Sequence, residues 1–212
     1  MILGFSTAGP YCGVALWSGD DVVAAHHEEL AKGQAERLIP MIAEVLAEAN
    51  ATYADLDALG VGIGPGNFTG IRISVAAARG LALGLGIPSV GVSLLEALAY
   101  GQQGSVLTSI TAGRTGMYLQ RFAEGADRGP ELVNPDSVAE WRFPGLTCIG
   151  NKETEIAALL GAEPGPAPFY PASAIARIAA TRWQDDPPRP APLYLRQPDA
   201  APARDLAPTI LS

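Results

Sequence analysis

With 212 residues and 48% hydrophobic content, the chain has apolar material for one large domain or two small ones. Its 22 acidic residues outweigh 14 basic ones for a net charge of −8, the reverse of what a protein needs to grip a phosphate backbone unaided. Cys12 and Cys148 lack a CxxC spacing, so neither a zinc site nor a disulfide framework is indicated and the cytosol is the expected compartment.

Ile2 to Ser6 predicts a short apolar strand, Thr7 to Cys12 a turn of small residues, Gly13 to Trp17 a second strand and Val22 to Ala25 a third. No basic n-region precedes Ile2, so the start is not read as a secretory signal. Gln34 to Asn50 carries Leu38, Ile42, Val45 and Ala49 at helical spacing, with Met41 and Leu46 beside them. Leu56 to Ile63 reads as a strand that Pro65-Gly66 stops. Asn67 or Thr69 then caps a helix running to Leu85, with no further proline until Pro88. The most apolar region, Ile71 to Ala99, is broken by Arg79 and Pro88 into helix, turn, strand and helix, so no membrane span is expected.

The helix after Gly64-Pro65-Gly66 has an unusual surface. Ala76, Gly80 and Gly84 recur every fourth residue, Ile73, Ala77, Leu81 and Leu85 make a second stripe, and the only charges are Arg72 and Arg79. A surface helix normally shows a polar face. Each interior glycine also costs about 1 kcal/mol against alanine. Either the chain itself covers this helix on both sides, or one side is a docking site.

The second half repeats the plan of the first. Val106 to Ile110, Thr111-Ala112-Gly113 and Met117 to Phe122 mirror Ile2 to Ser6, Thr7-Ala8-Gly9 and Gly13 to Trp17 at an offset of 104. Pro130 to Pro144 reads as loop, Leu146 to Gly150 as strand, Glu153 to Leu160 and Ala172 to Trp183 as helices, and Pro187 to Pro208 as an extended Pro- and Ala-rich tail. The expectation is an α/β protein of two duplicated lobes, 1–104 and 105–212, each a mixed sheet with packed helices.

The stretch Gly64-Pro65-Gly66-Asn67-Phe68-Thr69-Gly70-Ile71-Arg72-Ile73 closely resembles the GPGSFTGLRIG signature of the TsaB (YeaZ) family, subunits of the bacterial tRNA threonylcarbamoyladenosine machinery. Asn67 and Ser74 are its main departures. Leu81-Ala82-Leu83-Gly84, Gly91-Val92-Ser93-Leu94-Leu95 and the PxYLR-like Pro192-Leu193-Tyr194-Leu195-Arg196 extend the resemblance. It implies ribonuclease H-like lobes of the actin-like (ASKHA) superfamily, a TsaD-like catalytic subunit as partner and a TsaE-like ATPase completing the set, with tRNA reached only through the complex. It also implies a helical bundle shared with the partner. The interface expected from this is Leu38, Met41, Ile42 and Val45 on the first helix with Arg72, Val75, Ala76, Arg79, Gly80 and Leu83 on the second, and the same patch makes a homodimer when the partner is absent.

By the same resemblance, the loops Ser6 to Cys12 and Thr111 to Gly116 face a nucleotide across the interlobe cleft. Ser6 and Thr7 are the candidate phosphate contacts. Neither loop contains Asp or Glu, which normally hold magnesium with a triphosphate, so no more than weak nucleotide binding is expected. Where the family shows Asp-Thr and Asp-Ala-Arg, this chain has Ser6-Thr7 and Thr111-Ala112-Gly113. Where TsaD carries an HxxxH metal pair, it reads Gly33-Gln34-Ala35-Glu36-Arg37. His26 and His27 are adjacent, point to opposite faces of an extended segment and read as solvated. Walker A, Rossmann and nucleophile-elbow patterns are not met. No catalytic residue or metal ligand is assigned. The expectation is a non-catalytic scaffold, the alternative a metal- or nucleotide-dependent hydrolase, peptidase or nucleotidase, working in the same cleft.

Overall fold

A computed structural model describes residues 1–113 and 116–195. Arg114 and Thr115 of the second cleft loop, Arg196 of the PxYLR-like ending and the tail beyond it lie outside the described residues. The elements follow the order β1 (Ile2–Ser6), β2 (Tyr11–Ser18), β3 (Asp21–Glu29), α1 (Gln34–Glu48), β4 (Ala58–Gly62), α2 (Phe68–Leu85), β5 (Ser89–Val92) and α3 (Leu94–Ala99). The second half adds β6 (Ser105–Ala112), β7 (Gly116–Phe122), β8 (Arg128–Val133), β9 (Leu146–Gly150), α4 (Glu153–Leu160), β10 (Glu163–Pro164) and α5 (Pro171–Ala180).

The strands form two five-stranded sheets with one connectivity. The first runs β3-β2-β1-β4-β5 and the second β8-β7-β6-β9-β10. In each, the first two neighbours pair antiparallel and the rest parallel. The repeat expected from the sequence is therefore a real duplication, two ribonuclease H-like lobes on the actin-like plan. The lobes differ in cover. Where the first has α1 between its third and fourth strands, the second has only a 3-10 turn, Pro135–Trp141, whose Trp141 is wholly buried.

The region Pro130 to Pro144, expected to be loop, thus holds the end of β8 and this turn. Pro130 is accommodated because β8 is an edge strand whose register slips beside it, between the pairs Leu119–Glu131 and Arg121–Arg128. The meander strands also run longer than their apolar cores predicted, with β3 reaching Glu29.

A boundary between residues 104 and 105 does not divide the packing. Each lobe's last helix covers the other lobe's sheet: α3 packs on β6, β7 and β9, while α5 packs on β1, β4 and β2. The reason is written in small residues. A Cβ on Gly4 would stand 2.6 Å from the Ala172 carbonyl oxygen and the Ala176 nitrogen, and one on Gly60 would stand 2.8 Å from the Ala179 methyl. Gly4 and Gly60 are register partners on β1 and β4, so they form a lane across the sheet into which alanine-rich α5 sinks. Ala174, Ile175, Ile178 and Ala179 join the first lobe's core. Ion pairs Arg177–Asp21, in the last turn of α5, and Arg182–Glu96, just past it, pin its C-terminal end.

Because Ile175 is fully buried against the first sheet, Ile175→Ala is expected to lower the unfolding free energy by about 2–5 kcal/mol. Urea unfolding measures the loss. Amide exchange should place the weakened protection in β1 and β4, over a hundred positions away in sequence, and loosening confined to the second sheet would contradict this packing.

Candidate functional site

The stretch from Gly64 to Gly70 turns out to be a weld. Thr7 Oγ1 donates to the Gly70 carbonyl at 2.7 Å, and the Asn67 amide donates to the Ala8 carbonyl at 2.7 Å. A Cβ on Gly70 would overlap the Thr7 carbonyl, so only glycine lets the start of α2 approach the loop after β1 this closely. Asn67 Oδ1 caps the helix by accepting from the Gly70 amide at 2.8 Å. Ser74, one of the departures from the family signature, is buried with its hydroxyl between the Gly62, Gly70 and Ile71 carbonyls.

This weld takes Ser6 and Thr7 out of the cleft. Both are fully buried. Ser6 Oγ accepts from the Ala8 amide at 3.3 Å and lies 3.5 Å from the Tyr11 hydroxyl, while Thr7 is spent on Gly70. As side-chain contacts to a phosphate they are corrected, because their hydroxyls are engaged inside the fold. The cleft itself is present, about 610 Å³, with Gly9, Pro10 and Tyr11 on one wall and Ser109, Thr111 and Asn151 on the other. Asn151 Oδ1 accepts from the Thr111 amide at 2.9 Å. Glu29 is the one charged side chain among its described lining residues. Burial pushes the Tyr11 phenol up to about 12, so it stays protonated at neutral pH.

The histidines point to opposite faces of β3 as expected, yet neither is simply solvated. His26 lies 3.5 Å from Glu44 and 2.9 Å from Glu48 on α1. His27 lies 3.0 Å from Glu29, with its ring between Tyr11 and Tyr170 at centroid distances of 4.9 and 4.6 Å. Among the described residues, no group of three His, Cys, Asp or Glu side chains converges as a metal site would require. Cys12 and Cys148 sit in different sheets, and burial pushes both thiols up to about 11.

The other feature is a two-helix face. α1 and α2 pack side by side on the face of the first sheet opposite α5. The sequence picked the wrong side of α1: Leu38, Met41, Ile42 and Val45 are 0–1% exposed and form core, as does Val75 at 3%. The largest apolar side chains face the sheet because burying them yields the most free energy. The apolar residues that face outward on α1 are the series Ala35, Ile39, Ala43 and Ala47, with Ile39 46% exposed, beside the exposed acids Glu36, Glu44 and Glu48. The regular i, i+4 spacing of that series was the signal available in the sequence. On α2, Arg72, Ala76, Arg79, Gly80 and Leu83 are exposed, Leu83 to 83%. Among the described residues, nothing lies within 4 Å of a Cβ placed on Gly80 or Gly84.

Where the sequence predicted no spanning segment, α2 meets the length and hydropathy requirement, with a mean hydropathy of 1.3. Its inward side is packed on β4, burying Gly70, Ile71, Ser74, Val75 and Ala78, so the excess apolarity lies on the outward side.

Two flanks frame this face. On α1, Arg37 bridges Glu28 of β3 and Glu44, each at 2.7 Å. Beside α2 runs the strap Pro190–Leu195, held where Leu193 donates its amide to the Ile63 carbonyl at 2.8 Å and Arg79 Nε donates to the Pro190 carbonyl at 2.8 Å. Arg72 Nε donates to the Tyr194 hydroxyl at 2.9 Å, and its guanidinium stacks 3.6 Å from the Phe68 ring centroid.

Similarity to known proteins is consistent over most of the chain. The family described as TsaD: tRNA N6-adenosine threonylcarbamoyltransferase matches residues 25–168. An uncharacterized protein of Mycobacterium tuberculosis is 36% identical over 203 residues, 95% of this chain and 94% of that one. The tRNA threonylcarbamoyladenosine biosynthesis protein TsaB of Escherichia coli is 38% identical over 150 residues, 66% of this chain and 64% of its own length. Among solved structures, YeaZ from Pseudomonas aeruginosa superposes with a TM-score of 0.75 at 27% identity, covering 92% of this chain and 99% of that one.

The Arg37 clamp has a pH signature. Hydrogen bonding to Arg37 holds the Glu44 carboxyl below its ordinary range. Its contribution is therefore complete above the unfolded carboxylate value and is lost as pH falls through the lowered folded value. Thermal midpoints across acid pH should fall less steeply in Arg37→Gln than in the parent, and equal slopes would count against the clamp.

Proposed function

The chain belongs to the TsaB (YeaZ) family of tRNA threonylcarbamoyladenosine biosynthesis proteins, and from that premise we propose that it is a non-catalytic scaffold subunit that docks a TsaD-like catalytic subunit on the outer face of α1 and α2. The observation that carries the reading is the open lane of Ala76, Gly80 and Gly84 beside the exposed Leu83. Two glycines in a helix interior forgo about 1 kcal/mol each. That loss is offset only if another backbone approaches closely, and among the described residues none does at either glycine. An apolar surface of this kind on a helix pair fits a second helix pair, giving a bundle.

In this reading the TsaD-like subunit supplies metal, nucleotide and transfer chemistry, a TsaE-like ATPase completes the set, and tRNA is reached through the complex in the cytoplasm. This chain needs no cofactor of its own. The inward-turned hydroxyls of Ser6 and Thr7 support that assignment over a hydrolase working in the cleft. Without its partner, the face pairs with a second copy of the chain.

Gly80→Leu tests the assignment, because the new side chain enters open space and leaves the monomer intact. Sedimentation of the variant with the TsaD-type subunit is expected to show at least tenfold weaker association, about 1.4 kcal/mol or more, with an unchanged unfolding curve. A complex of undiminished affinity would sink the docking reading. Leu83→Glu, measured alone, should shift the chain from dimer to monomer.

A further inference from the structure

The described arginines differ in what their guanidinium groups meet, and Arg121 and Arg142 turn to backbone carbonyls away from α2. Arg37, Arg128, Arg177 and Arg182 are each paired with a carboxylate of the chain. Arg72 and Arg79, both exposed on α2, have no carboxylate within ion-pair distance among the described residues, although the chain carries a net charge of −8. Acids are abundant and have not been spent here.

Nor are these two side chains left loose. Each uses Nε on the strap, Arg72 to the Tyr194 hydroxyl and Arg79 to the Pro190 carbonyl, and Arg72 is also stacked on Phe68. A guanidinium presents five donors in a rigid fork, so fixing it through Nε leaves the terminal nitrogens aimed and their ordering entropy already lost before any partner arrives. Arg72 and Arg79 are seven residues apart, two helical turns, hence on one side of α2 and about 10 Å from each other along the axis. Ala76, Gly80 and Leu83 lie between and beside them.

Resting on the docking reading, we propose that the surface seated on α2 carries two carboxylates about 10 Å apart, as Asp or Glu seven residues apart on a partner helix would, and that they pair with Arg72 and Arg79 at the edge of the apolar contact. The strap is the device that aims the two cations, with Tyr194 as its positioning residue. Placed at the rim, such pairs escape the desolvation that makes buried ion pairs costly, and they act chiefly on association rate and on partner choice. A nucleic acid would offer negative charge as well, but the ground between the arginines is alanine, glycine and leucine, which fits an apolar helix better than a phosphate backbone.

The test is the rate of association with the TsaD-type subunit, followed from low to high salt with the full chain. The double variant Arg72→Gln, Arg79→Gln is expected to associate about tenfold more slowly at low salt and to lose most of the salt dependence. Tyr194→Phe keeps both charges and should keep the salt dependence. Reversing the sign at Arg79 with Arg79→Glu should be rescued by an acid-to-arginine change on the partner's docking helix. A parent complex whose rate ignores salt and the double variant overturns this inference while leaving the docking reading in place. Absence of any complex with the unmodified chain overturns both. Salt dependence lost only in tRNA binding by the assembled complex would assign the arginines to nucleic acid and overturn the pairing.

Discussion

The structure turns on a helix that is apolar on both sides and covered on one. The inward side of α2 is filled by β4, and its N-terminus is fastened by Asn67 and by the bond from Thr7 to Gly70. Its outward side has Leu83 at 83% exposure and two glycines with nothing beside them among the described residues. Water gains nothing from such a surface, and removing apolar area from water is worth about 25 cal/mol per Å². The helix is held rigidly from behind and presented bare in front, which is the condition for docking with little loss of conformational entropy.

The same close packing governs the start of α2. The signature stretch serves architecture: its glycines let α2 meet the first β-loop, and the hydroxyls that face a ligand in the expected plan are turned inward to hold that contact. The cleft survives as a space between lobes that are interlocked by exchanged helices, with α3 covering the second sheet and α5 the first. That exchange gives the outer face of α1 and α2 a firm base, since α5 supports β1 and β4 from the opposite side.

Much of this was legible in the sequence, and the misses share a cause. β9 and α4 run from Leu146 to Gly150 and from Glu153 to Leu160, the bounds expected from the sequence, and the repeat of β1 and β2 in β6 and β7 identified the duplication. Local patterning fixes such elements. What it does not fix is which neighbour an amphipathic element meets. α5 follows the second lobe in sequence and packs on the first, because its alanines complement Gly4 and Gly60, a match visible only in three dimensions. The apolar stripe Leu38, Met41, Ile42 and Val45 was the right periodicity on the wrong side, since periodicity says that a face is buried and not by what. Ser6 and Thr7 were placed by analogy with loops whose acid this chain has lost, and the hydroxyls found internal partners instead.

The most direct measurement is amide hydrogen exchange of the chain with and without a TsaD-type subunit. The account predicts new protection along the outer residues of α1 and from Ala76 to Leu85 of α2, with the cleft loops around Gly9 and Thr111 unchanged. Protection that appears at those cleft loops while both helices exchange as before would contradict it.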